Sequence, residues 1–224
     1  MSSTRRRRVL TLDEIVEAAL AILDREGLDA VSMRRLAEHL GVGTMTLYHY
    51  VADKDELAEH VSERVMAEVV IPGEVPTHWR EALTEIAVRT RDTFLRHPWI
   101  FDAFGRQRVA TPSVLRHAEQ TAAAVEGLDV DAATASAIAG AVDDFVIGHA
   151  MREVARRRLS SEGHAPLRLS DEARALIESG AVPRVAELFQ RVDWFGPPPD
   201  DFARGLEWLL DGIEAMLTAS ARSG

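Results

Sequence analysis

The stretch Val31-Ser32-Met33-Arg34-Arg35-Leu36-Ala37-Glu38-His39-Leu40-Gly41-Val42-Gly43-Thr44-Met45-Thr46-Leu47-Tyr48-His49-Tyr50-Val51 decides the fold. Leu36, Ala37 and Leu40 fall at the three- and four-residue spacing that lines one face of an α-helix, and Ser32 stands where an N-cap belongs. Gly41-Val42-Gly43 breaks that helix. A second short helix is expected over about 44–51, with Leu47 and Val51 turned inward. Two short helices around a glycine turn form the geometry in which the second lies in a DNA major groove.

The outward residues of the second helix support that reading. A solvated helix usually shows Glu and Lys, whereas Thr44, Met45, Thr46, Tyr48, His49 and Tyr50 offer hydroxyls, rings and methyl groups. Such groups suit phosphates, base edges and thymine methyls. Ser32 and Arg34 add candidate contacts from the preceding helix. Lys54, the sole lysine of the chain, is expected to join free backbone N–H groups at a helix start around one phosphate. The tail Arg5–Arg8 could follow a minor groove or act only as a solubilising segment. Tyr48 could instead belong to the core, and Arg34 could pair with Glu38 one turn on.

Working outward, Thr11 and Glu14 form a capping box ahead of Ile15, Val16, Ala19, Leu20 and Leu23 at helical spacing. Asp53 and Glu56 form another, opening a helix that should run to about residue 70. There Ile71-Pro72-Gly73 and Pro76 mark a boundary. Further helices are expected near 77–96, 98–105, 111–126, 131–159, 170–179, 183–191 and 200–220. No useful period-2 pattern appears, so the expected class is all-α. The organisation is a basic tail over 1–10, a helix-turn-helix domain over 11–58, a connector to about 70, and a larger domain over 71–224.

Bulk composition sets the limits. The chain has 224 residues, 46% hydrophobic and 28% charged, ordinary for a globular protein. The net charge of −10 argues weakly against nucleic acid. Residues 1–60 hold eight Lys/Arg against eleven Asp/Glu, giving −3, so the local pattern has to carry the case. With no cysteine, disulfides, thiolate metal sites and a cysteine nucleophile are excluded. Asp13, Glu14 and Glu17 interrupt the stretch after the arginines, so no export signal or membrane helix is expected, and a cytoplasmic location is.

The residues Val31–Ala37, Leu40-Gly41-Val42, Thr46–Val51 and Lys54-Asp55-Glu56-Leu57 together resemble the TetR family of bacterial repressors over about residues 12–58. More loosely, Phe145-Val146-Ile147-Gly148 and Phe202–Ile213 resemble the tetracycline-repressor type of C-terminal domain. The resemblance implies an all-α homodimer whose larger domain binds a small-molecule effector and releases a palindromic operator. Relatives that bind magnesium–tetracycline keep a glutamate four residues beyond the glycine. Here that position is Arg152, which counts against such a ligand, and no cofactor or metal is expected.

In the larger domain Trp99, Phe101 and Phe104, with Phe145 and His149, are candidates for an apolar effector pocket, though simple packing serves the aromatics equally. His149 could face a cavity, a partner subunit or the core. Leu206, Leu209, Leu210, Ile213 and Leu217 make an apolar face on the last helix broad enough for a dimer interface with the 131–159 helix. Two other readings remain: a DNA-binding regulator without a small-molecule effector, and an enzyme. The enzyme lacks support, because no nucleophile elbow, phosphate-binding glycine loop or metal-ligand cluster is present.

Overall fold

The computed structural model describes residues 10–103, 109–161, 169–191 and 201–222. Among them every regular element is helical: α1 (Leu12–Glu26), a 3-10 turn (Leu28–Ala30), α2 (Met33–Leu40), α3 (Thr44–Leu47), α4 (Lys54–Val69), α5 (Trp79–Arg96), α6 (Ile100–Ala103), α7 (Pro112–Glu126), α8 (Ala132–Ser161), α9 (Asp171–Glu178), α10 (Pro183–Arg191) and α11 (Phe202–Ala221). The protein is all-α, a helix-turn-helix unit followed by a larger helical one. No helix among the described residues is long and apolar enough to cross a membrane. The tail Arg5–Arg8 and Phe104 lie outside the described residues.

Local chemistry starts the first helices. The Glu14 amide donates to Thr11 Oγ1 at 3.2 Å while the Thr11 amide donates to Glu14 Oε2 at 3.0 Å, so two orphan donors are satisfied reciprocally. Ser32 caps α2 by accepting from the Arg35 amide at 3.2 Å. Gly41, at φ 68° and ψ 32°, closes α2 in the left-handed conformation, which an L side chain adopts only at a cost. Its amide donates to Glu38 O and the Val42 amide to Ala37 O, the paired bonds that end a helix in a tight reversal.

Two main cores result. The first joins Ile15, Ala19 and Ile22 of α1, Leu36 of α2, Leu47, Val51 and Leu57, Val61 and Val65 of α4, and it also takes in Trp99. The second joins α5, α7, α8 and α11 through Leu83, Ile86, Val125, Val142, Val146, Phe202, Leu206 and Leu210. Between them Val69, Phe94 and Ala150 form a small bridging cluster. α4 therefore runs from the first core into the bridge, through Leu57, Val61 and Val65 and then Val69.

Two expectations about long-range packing are corrected here. Leu206, Leu210 and Ile213 are 3%, 2% and 8% exposed within a single chain, so the broad apolar face of α11 fills its own core rather than a subunit interface. Leu209 and Leu217 pack half-buried beside them. Trp99 is the other case. Its ring is buried in the first core, and its indole N–H donates to Asp24 Oδ1 at 2.8 Å, so it does not line a pocket of the larger unit.

Candidate nucleic-acid interface

α3 carries the surface in question, and its fixed orientation comes from what it buries. Leu47 is fully buried and Val51 nearly so, both members of the first core. Truncating such a residue to alanine typically costs about 2–5 kcal/mol, which is what holds the outer face in register. That face is open: Met45 is 72% exposed and Tyr48 44% exposed, while His49 is exposed and Thr44 and Thr46 are partly so. Tyr48 is thus not a core residue. Arg34 is exposed beside them, its guanidinium 3.8 Å from Glu38, a loose pair that a phosphate can displace. Ser32 is exposed as well, its oxygen already serving as the α2 cap.

The helix is shorter than expected. Regular α-helix ends at Leu47, and the chain tightens over 48–51 through three-residue bonds from His49 N to Thr46 O and Tyr50 N to Leu47 O. The tightening turns Tyr50 inward. Its hydroxyl donates to the Leu10 carbonyl at 2.6 Å and its ring packs against the first core, so Tyr50 is committed to Leu10 and that core rather than to the open face.

The start of α4 is also rearranged. Asp53 Oδ1 accepts from the amides of Asp55 and Glu56, both at 2.9 Å, and Glu56 accepts from the Ala52 amide. Those amides are therefore spent on the protein's own carboxylates and are not available to an anion. Lys54, exposed on the first turn, brings its ammonium to this rim without their help.

The remaining candidates lie in the larger unit. Phe145, His149 and Phe202 form a ring cluster with centroids 5.3–5.8 Å apart, and the Arg91 guanidinium sits 4.8 Å over Phe202. Arg91 also bonds Glu153 at 2.8 Å. Burial holds the His149 pKa below the ordinary histidine value, helped by the positive charges of Arg152 and Arg91. Phe101 stands edge-to-face with Phe94 at 5.6 Å. Sequence reasoning passed over one pair, His117 on α7 and Asp143 on α8. Burial lowers the histidine pKa and raises the aspartate pKa, while each charge counteracts the other's shift. His117 Nδ1 is buried and lacks a hydrogen-bond partner among the described residues. The only sequence signal was a histidine and an aspartate on separate helices. No group of three or more His, Cys, Asp or Glu among the described residues could hold a metal ion.

The likenesses to known proteins agree with this geometry. Residues 15–61 match the family model of bacterial regulatory proteins of the tetR family, and residues 71–217 match that of the tetracyclin repressor-like C-terminal domain. The transcriptional repressor DrrR1 of Streptomyces coeruleorubidus is 35% identical over 217 residues, spanning 93% of this chain and 78% of that one. The TetR family protein ActR of Streptomyces coelicolor, in complex with (S)-DNPA, superimposes with a TM-score of 0.68 at 30% identity over 92% of this chain and 98% of that one. ActR in complex with actinorhodin gives 0.67 at 29% identity over 95% and 97%. Both family models and a repressor aligned over nearly the whole length place the chain in the TetR family of bacterial transcriptional regulators, DNA-binding proteins rather than enzymes.

Proposed function

We propose that the chain is a homodimeric repressor that holds a palindromic operator and is released from it by a small-molecule effector. The reading head spans residues 11–58, α4 connects it as far as about residue 70, and the rest binds effector and partner. The observation that carries the reading is the open, uncharged hydroxyl-and-methyl face of α3 over a fully buried Leu47. Thr44, Met45, Thr46, Tyr48 and His49 meet base edges and sugar–phosphate, while Arg34 and Lys54 anchor phosphates on either side.

Dimerisation uses the opposite face of α11 from the one read in the sequence. Trp208 is 67% exposed, and Gly212 and Ala215 continue its stripe at helical spacing. On α8, Ala141, Asp144, Gly148 and Met151 form a second exposed stripe whose small residues permit close approach of a partner helix. Effector release is supported by the ActR complexes with two small molecules. In this chain His117 and Asp143, half-buried on α7 and α8, the His117 Nδ1 without a hydrogen-bond partner among the described residues, are the polar groups best placed to fix such a molecule's orientation.

The test is fluorescence anisotropy on a duplex that the wild-type protein selects from random-sequence DNA. Tyr48→Ala should weaken binding by about 1–3 kcal/mol for each head. Lys54→Ala should weaken it too, and should lower the slope of log affinity against log salt by about 2 for the dimer, one phosphate per head. Unchanged binding in both variants would remove the contact assignment, and failure of the wild type to select any duplex would remove the function.

A further inference from the structure

The corner that joins α5 to α6 belongs to the larger unit by sequence and to the reading head by contact. His97, 7% exposed, points Nδ1 at Asp24 Oδ1 of α1 at 2.8 Å and Nε2 at Glu68 Oε1 of α4 at 3.4 Å. Two residues on, the Trp99 indole donates to the same Asp24 oxygen, also at 2.8 Å, and its ring is buried in the head's core. Arg96 adds an ion pair to Glu68 at 2.7 Å. From the other side Arg158, near the end of α8, donates to the Pro98 carbonyl at 3.1 Å and to Asp102 at 2.8 Å. A stretch of seven residues, 96–102, is thus bonded to α1, α4 and α8 at once.

We propose that His97 and Trp99 are positioning residues for operator binding: they lock the reading head to the body and so set the spacing between the two heads of a dimer. The proposal rests on the dimeric DNA-binding function above. The physical reason is the nature of the joint. A purely apolar contact tolerates sliding, whereas two donors converging on one carboxylate oxygen fix direction as well as distance. Trp99 strengthens the constraint, because the body cannot shift this corner without drawing a large buried ring through the head's core or carrying the head along. A displacement of α8 reaches Pro98 and Asp102 through Arg158, and from there the head moves as one piece. Neither residue touches DNA. Both act on where Tyr48 and Lys54 arrive.

A positioning role predicts a loss of spacing discrimination, which a contact residue or a simple structural prop does not produce. The wild-type protein is titrated with its selected palindrome and with the same duplex carrying two base pairs inserted between the half-sites. That insertion turns one half-site by about 70° and moves it by about 7 Å. The wild type should lose at least about tenfold in affinity on the longer duplex. In His97→Ala, and in Trp99→Phe (which keeps an aromatic ring but removes the N–H), the loss should shrink to about threefold or less, because freed heads adapt to either spacing. Affinity for the native spacing should fall in both, with the salt slope unchanged because no phosphate contact is removed. Variants of wild-type helicity that keep the full spacing penalty would overturn the proposal. So would loss of fold in both, which would make the joint a requirement of folding rather than of positioning. A wild type indifferent to spacing would instead overturn the dimeric reading beneath it.

Discussion

Arg89 offers the sharpest test of how the end of α4 is held. From α5 its guanidinium donates to three successive carbonyls: Glu68 O at 2.8 Å, Val69 O at 3.2 Å and Val70 O at 2.9 Å. These are carbonyls that a helix terminus leaves without intrahelical partners, and they carry the negative end of its dipole. Removing the side chain in Arg89→Ala takes away three charge-assisted bonds, each with a net value of about 1.5–3 kcal/mol in isolation. They share one donor group, however, and the site is only partly buried, so water recovers part of the loss. The expected cost is about 2–4 kcal/mol, toward the value of one to two such bonds rather than three. For a chain of this size that lowers the melting temperature by about 4–16 °C. Urea titration followed by circular dichroism, at fixed protein concentration because the stability of the proposed dimer would depend on it, measures the change. Amide exchange should locate it: protection falls at the end of α4, while amides behind Leu36 and Leu47 keep theirs. Arg89→Lys should recover only a fraction, since a point charge cannot reproduce the planar fork. A midpoint shift worth less than about 1 kcal/mol in Arg89→Ala, or full recovery by lysine, would refute the clamp.

Other consequences follow from the same packing. Burial depresses the folded-state pKa values of His117 and His149 below the ordinary 6.5. The unfolded chain therefore takes up protons first as pH falls through about 6.5, and stability declines by at most about 1.4 kcal/mol per pH unit for each histidine until the folded values are passed. Asp143, raised from its ordinary 3.8 by burial, acts with the opposite sign, its folded form accepting the proton first. Urea midpoints between about pH 7.5 and 6 should show the histidine slope in the wild type and a flatter one in His117→Asn with His149→Asn; equal slopes would contradict it. Trp208→Glu should yield monomer in sedimentation velocity at concentrations where the wild type is dimeric, with helicity retained because the ring is 67% exposed in the single chain. A dimer of undiminished affinity would place the interface elsewhere.

The helix-turn-helix was legible in the sequence because its signals are short-range. The caps at Thr11 and Ser32, the reversal at Gly41 and the inward Leu36 and Leu47 all act within a few residues of where they are read. What escaped is set by partners far along the chain. Tyr50 looks like an outward ring until its hydroxyl finds Leu10 forty residues earlier, and Trp99 looks like a pocket aromatic until its indole N–H donates to Asp24 seventy-five residues away. The face of α11 misled for another reason. An apolar stripe states that a helix is covered but not by what, and Leu206, Leu210 and Ile213 are covered by their own chain. At α4 the capping role of Asp53 was readable, but its consequence, that the amides of Asp55 and Glu56 are no longer open to a phosphate, takes the hydrogen-bond accounting of the folded chain.

Two kinds of joint meet on α4, and the difference between them bears on how an effector could act. At its C-terminal end Arg89 grips the backbone carbonyls and Gln120 of α7 brackets Ile71, accepting from its amide and donating to its carbonyl, both at 2.9 Å. Grips on the backbone do not depend on the rotamer of any α4 side chain, so this end travels with the body. Glu68 lies within the same last turn, yet its side chain faces the Arg96–His97 corner that is tied to α1. A small rotation of the body thus acts on the head through two points, the gripped end of α4 and the Asp24 joint on α1. Two separated points on one rigid core transmit a rotation, where a single point would act as a swivel. Breaking either should leave each half folded yet lower the energetic cost of misplacing the heads, so Arg89→Ala and His97→Ala should be less than additive in their effect on spacing discrimination. Additive losses would mean that each joint acts alone, and the two-point lever would have to be given up.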